Sequence, residues 1–246
     1  MKKAFSLIEL IIVIIVIGIL YSSVNYSLSD TSLNQAANQL IYNINYTRHL
    51  AINDNKMQYY PINNSKTEMN RSKYWFKQWW QIRFSTFQDS NNKTHYWYEI
   101  FTDVPYSSSS SNFDGQANLP ITAWQISIAK NPLNYKLMIG HCATGSNYPN
   151  CNQIDNKLDL TEKYGIKKIK FSDFSSNSPR LVFDNNGNVF LREGDDGDAG
   201  DINPYDKDER KPLLKTAKIT LCKDKNCEKN ISICITPKIG TVYLCK

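Results

Sequence analysis

Between Lys3 and Arg48 the chain has no Lys or Arg, and before Cys142 it has no cysteine. The first gap leaves an almost unbroken apolar run, Phe5 to Val24, whose only carboxylate is Glu9. The second confines thiol chemistry to the C-terminal part. Histidine is scarce as well: His49, His95 and His141 are scattered, with no Gly-x-Ser-x-Gly element and no phosphate-cradling glycine loop. Triad-type hydrolysis and nucleotide-loop chemistry therefore have no foothold, and the chain reads as a non-enzyme. No Cys-x-x-Cys occurs and no internal repeat is evident, which weighs against a zinc site built on His141 and the thiols and against a solenoid.

What is present begins with that run. Twenty residues at about 1.5 Å each make a helix of roughly 30 Å, the thickness of a bilayer's hydrocarbon core, and Lys2 and Lys3 ahead of it would hold the N-terminus in the cytoplasm. An ionisable group within such a span costs on the order of 3 kcal/mol, so Glu9 calls for a partner. The natural candidate is an α-amino group on another molecule, created by cleavage between Ala4 and Phe5. An ordinary secretory signal peptide is the competing reading. Gly18-Ile19-Leu20-Tyr21-Ser22-Ser23 offers no clear small-x-small cleavage site, and an acid near the start of the core would be out of place.

From Leu28 to Ile52 the pattern turns amphipathic. Leu28, Leu33, Ala36, Ala37, Leu40, Ile41, Ile44, Ala51 and Ile52 recur at three and four, marking one face of a helix that packs on a sheet and ends at Asn53-Asp54-Asn55. Two separate helices broken near Ser22-Ser23 is the alternative. Downstream the period becomes two: Tyr74, Phe76, Trp80, Ile82 and Phe84 alternate with polar neighbours, and further strands are expected at 95–101, 121–129, 135–139, 166–171, 179–183 and 188–192. Asp184-Asn185-Asn186-Gly187 is a hairpin signal, while Asn63 to Ser72 and the serine-rich stretch Tyr106 to Asn118 read as loops.

The stretch Lys3-Ala4-Phe5-Ser6-Leu7-Ile8-Glu9-Leu10 resembles the class III signal of type IV pilins and type II secretion pseudopilins. Ala36-Ala37-Asn38-Gln39-Leu40 with Thr47-Arg48-His49-Leu50-Ala51-Ile52 is similar to the helix of H-type minor pseudopilins. The resemblance implies an α+β fold of the type IV pilin kind, a long N-terminal membrane-spanning helix packed on a C-terminal antiparallel β-sheet domain. It implies a leader of residues 1–4, a helix over 5–54 (5–24 transmembrane, 25–54 amphipathic) and a periplasmic β-rich globular domain over 55–246. Prepilin peptidase would cut after Ala4, where the family usually has Gly, Phe5 would be N-methylated, and Glu9 would steer subunit addition. The implied place is the inner membrane, single-pass, and then a filament; the implied partners are other pilin or pseudopilin subunits, the peptidase and methyltransferase, and the inner membrane itself. The implied function is structural, as a subunit that joins or primes a short filament of a secretion or pilus system. A ligand-binding subunit of such a filament, capturing DNA for competence, is the alternative.

The formal charge is +6, from 29 Lys+Arg against 23 Asp+Glu, and loss of Lys2 and Lys3 with the leader would leave 27 against 23, or +4. Within it lie two blocks of opposite sign. Glu193 to Glu209 is dense in carboxylates, and Asp195, Asp196, Asp198 and Asp201 are the candidate ligands of a calcium ion, with a solvated acidic loop as the competing reading; no other cofactor is expected. Major pseudopilins carry a calcium-binding loop near their C-terminus, to which this segment does not align residue by residue. Arg210 to Lys246 is basic and suits a phosphate backbone, yet Gly240-Thr241-Val242-Tyr243 lacks both arginines of the family's Gly-Arg-x-Arg DNA-binding element, so a solvated basic face is expected.

Six cysteines after residue 140 point to disulfides in an oxidising compartment. Six allow 15 connectivities. Local geometry favours Cys142 with Cys151 across a Gly-, Ser-, Asn- and Pro-rich loop, Cys222 with Cys227 across a four-residue turn, and Cys234 with Cys245. The last follows from a two-residue turn at Ile239-Gly240, which places the two directly opposite each other, unless Pro237 ends the first strand early.

Overall fold

The computed structural model describes residues 7–54, 78–102, 128–142, 150–172, 174, 179–192 and 212–245, and of residues 22–30 and 192 the backbone alone. The architecture is α+β. Helix α1, Leu7–Asn53, is followed by β1 (Trp80–Gln88), β2 (Thr94–Thr102), a 3-10 turn (Asn156–Leu158), the short helix α2 (Leu160–Tyr164), and strands β3 (Lys168–Ser172), β4 (Arg180–Phe183), β5 (Val189–Arg192), β6 (Ala217–Cys222), β7 (Asn230–Ile235) and β8 (Val242–Leu244). Two four-stranded sheets result, ordered β2-β1-β4-β5 and β3-β6-β7-β8, with every strand pair antiparallel.

The helix joins the sheets because its C-terminal half carries the predicted stripe. Leu33, Ala36, Ala37, Leu40, Ile44 and Ala51 are buried, and they share one core with Ile82, Phe84, Tyr98 and Ile100 of the first sheet and Ile219, Ile233 and Ile235 of the second. Ala36 and Ala37 admit close approach of the helix to both sheets, and β1 answers with its own period: Trp80, Ile82 and Phe84 point to the helix. Ile41 is only partly buried, Ile52 is 46 % exposed, and the side chain of Leu28 lies outside the described residues.

The membrane-spanning expectation is corrected. Among the described residues no helix is long and apolar enough to cross a membrane. The apolar end with described side chains, residues 7–21, covers 15 residues. With the span falls the single-pass inner-membrane placement.

Strands near 95–101, 166–171, 179–183 and 188–192 appear within about two residues of the expected limits. Between 135 and 139 the chain makes isolated bridges, Leu137 to Lys130 and Ile139 to Glu99, rather than a strand; Tyr135 turns at a φ of 57° and returns its N–H to the Asn131 carbonyl. Most of 121–129 lies outside the described residues, where Ile128 bridges Phe101. The β4–β5 hairpin forms at the predicted Asp184–Gly187, with Gly187 at a φ of 75°. Glycine takes that left-handed conformation without strain, and a Cβ there would press on Ile52 Cδ1 at 2.7 Å. Arg48 Nε donates to the Gly187 carbonyl at 3.1 Å, tying hairpin to helix.

Candidate functional site

The N-terminal end of α1 differs from the rest of the molecule in what covers it. From Leu7 to Tyr21 the large apolar side chains are 46–78 % exposed, on every side of the helix, whereas the same helix buries Leu40 and Ile44 completely further on. Glu9 is exposed in the first turn, where a carboxylate is favoured by the helix dipole. Burial of each Leu, Ile or Val side chain is worth about 1.5–3 kcal/mol, so this segment carries a large unrealised gain on association. Ala4 and Phe5, the expected processing residues, lie outside the described residues, as do Asp195, Asp196, Asp198 and Asp201.

The cysteines pair as Cys142–Cys151, Cys222–Cys227 and Cys234–Cys245, with Cα separations of 5.2, 4.8 and 5.3 Å, inside the usual range for bridged pairs. The thiols are thereby committed to cross-links, and His141 beside Cys142 has no thiolate to share a metal with. Among the described residues no group of three His, Cys, Asp or Glu side chains is placed to hold a metal ion.

A second constellation was not anticipated from the spacing of its residues. His95, buried on β2, has Nδ1 2.9 Å from Asp159 Oδ2 and Nε2 3.5 Å from Asp89 Oδ2. Its ring stacks on Phe87, which stacks in turn on His141, at centroid distances of 4.6 and 3.7 Å, and Trp97 leans on His141 from the side. Asp159 serves two elements at once: Oδ1 accepts from the Glu162 N–H as the N-cap of α2, while Oδ2 holds His95. Asp89 is lowered from the ordinary carboxylate value, first by the Lys93 backbone N–H, with desolvation opposing and the Asn91 N–H and His95 adding to the shift. Burial pushes the His141 imidazole down, with His95 adding to the shift and Asp159 opposing it. His141 is delivered by Gly140, whose backbone lies so close to Leu158 and Asp159 that a Cβ would stand 2.6 Å from the Leu158 carbonyl carbon. The signal that could have located this cluster is the capping pattern Asp159-Leu160-Thr161-Glu162, closed by Gly165 at a φ of 66°.

Two further buried polar contacts fix helix and sheets. Asn43 Nδ2 donates to Tyr98 Oη at 2.6 Å in the core, and burial holds the Tyr98 hydroxyl far above its ordinary range. On the opposite face of the first sheet Arg83 pairs with Glu99, a cross-strand couple whose carboxylate is almost wholly buried. No family model, no curated protein and no solved structure matches this chain. The arrangement itself is an exposed apolar helix end on a domain cross-linked by three disulfides.

Proposed function

We propose that this chain is a structural subunit of a helix-cored filament, a minor pseudopilin or pilin that joins or primes assembly in a type II secretion or type IV pilus system, and that it is not itself an enzyme. The observation that carries the reading is the division of α1: its C-terminal half is buried in the domain, and its N-terminal end presents apolar side chains in all directions. A helix that is apolar all round is stable only when surrounded, and equivalent helices of other subunits supply that surrounding. The signal-like stretch Lys3 to Leu10 supports the same reading, with cleavage after Ala4, N-methylation of Phe5, and Glu9 meeting the α-amino group of a neighbouring subunit.

A photo-reactive amino acid at Ile14 tests it in cells that carry the assembly system. Adducts to other copies or to partner subunits are expected from Ile14, and none from Leu133, which is 84 % exposed but sits on the globular domain. An Ile14 probe that yields only monomer would overturn the proposal. Intact-mass analysis provides a separate check, with loss of four residues and gain of one methyl as the expected result.

A further inference from the structure

Where the β1–β2 turn, the entry to β3 and the β6–β7 turn converge, a cleft of about 580 Å³ opens, lined by Lys93, Lys167, Lys168, Lys225, Tyr96 and Thr161 among others. Among the described residues that line it there is no carboxylate. The Lys93 ammonium is 3.2 Å from the Glu162 carboxylate, with both side chains more than half exposed, while Asp89 and Asp224 on the two turns spend oxygens on the backbone N–H groups of Lys93 and Lys229. Four lysines thus face one concavity whose described lining holds no carboxylate, and a low-dielectric wall concentrates their field.

The lysines are held by covalent and hydrogen-bonded structure. The Cys222–Cys227 bridge closes the turn that carries Lys225, and Asp224 inside it accepts from the N–H groups of Glu228 and Lys229 at 3.1 and 2.9 Å. The Lys167 N–H donates to the Cys222 carbonyl at 2.9 Å, which fixes the β3 entry to the same turn. Across the cleft, the Tyr96 N–H donates to Thr161 Oγ1 at 2.9 Å. Just beyond, Lys223 donates to the Tyr164 carbonyl, and burial together with the charge of Lys167 holds its ammonium below its ordinary value. The backbones bearing these charges are ordered in advance, which lowers the entropic cost of binding.

Tyr96 also lines a second, mainly apolar pocket of about 190 Å³ with Phe84, Ile169, Phe171 and Pro179. The two share one wall. Lysine acts as a compact point charge and suits phosphate oxygens, while the planar fork of arginine, absent from this cleft, suits carboxylates. The volume lies in the range of small-molecule sites.

We propose that this cleft binds a ligand bearing two or more phosphate groups, with a ring or apolar portion set against Tyr96. A free nucleoside polyphosphate and one unit of a single strand share that chemistry. The inference is independent of the filament reading.

The test is calorimetric titration of the full-length, oxidised protein in mild detergent at low salt with three probes: tripolyphosphate, a nucleoside diphosphate and a twelve-residue oligothymidylate. Saturable binding that weakens with added salt is expected. Lys167→Gln with Lys225→Gln should lower affinity by at least about tenfold, Lys167→Arg with Lys225→Arg should restore most of it, and Lys130→Gln, outside the cleft, should change nothing. Tyr96→Leu should weaken the nucleotide more than tripolyphosphate. Tighter binding of the diphosphate than of the oligothymidylate per site identifies a free ligand, and the reverse order identifies a strand. Absence of saturation with all three probes, or unchanged affinity in a folded double Gln variant, would overturn the proposal.

Discussion

Cys234 is bonded to Cys245, yet its partner across the β7–β8 ladder is Tyr243. The disulfide therefore runs diagonally. A two-residue turn at Ile239-Gly240 would have set the cysteines face to face; Pro237 ends β7 instead, and Thr236 and Thr241 close a longer turn through the Thr236 N–H and the Thr241 carbonyl at 2.9 Å. Lys238 and Gly240 take up the curvature at φ values of 63° and 66°. The ladder is displaced by two residues from the expected register. Because side chains alternate with period two, a shift of two keeps both sulfurs on one face, and the expected pair forms in a register that was not expected. With a separation of 11 residues, the bridge contributes about 3 kcal/mol on the chain-entropy account. The Cys234→Ser, Cys245→Ser double variant is expected to lose about that much in denaturant unfolding under oxidising conditions, and a change below about 0.5 kcal/mol would show that the hairpin is held without it.

The two halves of α1 should respond oppositely to truncation. Leu40 is fully buried between the sheets, so Leu40→Ala is expected to cost about 2–5 kcal/mol of domain stability while leaving the exposed apolar end unchanged. Ile14 is 60 % exposed, so Ile14→Ala should alter monomer stability by no more than about 0.5 kcal/mol and reduce self-association instead. Chemical denaturation paired with sedimentation analysis separates the two effects, and equal loss of stability from both variants would refute the division.

The helix stripe, the Asp184–Gly187 hairpin and the three cysteine pairs were legible because each rests on short-range pattern: period 3.6, a glycine needing positive φ, and thiols within a dozen residues. The helix α2 was missed although Asp159, Glu162 and Gly165 mark both its ends, since its five residues are too few for periodicity to register. Strand β6, Ala217–Cys222, alternates apolar and polar residues over only six positions, too short a run for the period to stand out among the lysines around it. Neither the His95 cluster nor the lysine cleft could be read in advance. Lys93 and Lys225 are brought to one cleft by separate sheets, and no local pattern records which turns meet.

The Arg83–Glu99 pair should be costly to halve. Glu99→Ala leaves a largely buried guanidinium opposite nothing, and about 3–5 kcal/mol of destabilisation is expected. Tyr98→Phe, which strips the Asn43 amide of its core partner, should cost less, about 1–3 kcal/mol. Thermal unfolding of the two single variants orders them; a Tyr98→Phe loss larger than that of Glu99→Ala would show that the ion pair is solvated after all.

Acid should weaken the fold in two separable steps. His141 has a folded-state pKa below its ordinary value of about 6.5, set by burial first, so the unfolded chain binds the proton more readily. Its contribution is complete above that ordinary value and is lost as pH falls through the lower, folded value. Asp89 is also depressed, chiefly by the Lys93 backbone N–H, so its contribution persists above the ordinary carboxylate value of about 3.9 and disappears at still lower pH. Melting temperatures measured from pH 8 to 3 should therefore decline first below about pH 6.5 and again below about pH 4. His141→Phe keeps a ring on Phe87 while removing the proton site, so the upper step should shrink and the lower one remain. Asp89→Asn should do the reverse. An upper step of undiminished size in His141→Phe would assign it to other groups and detach the stacked His141 from the acid response of the domain.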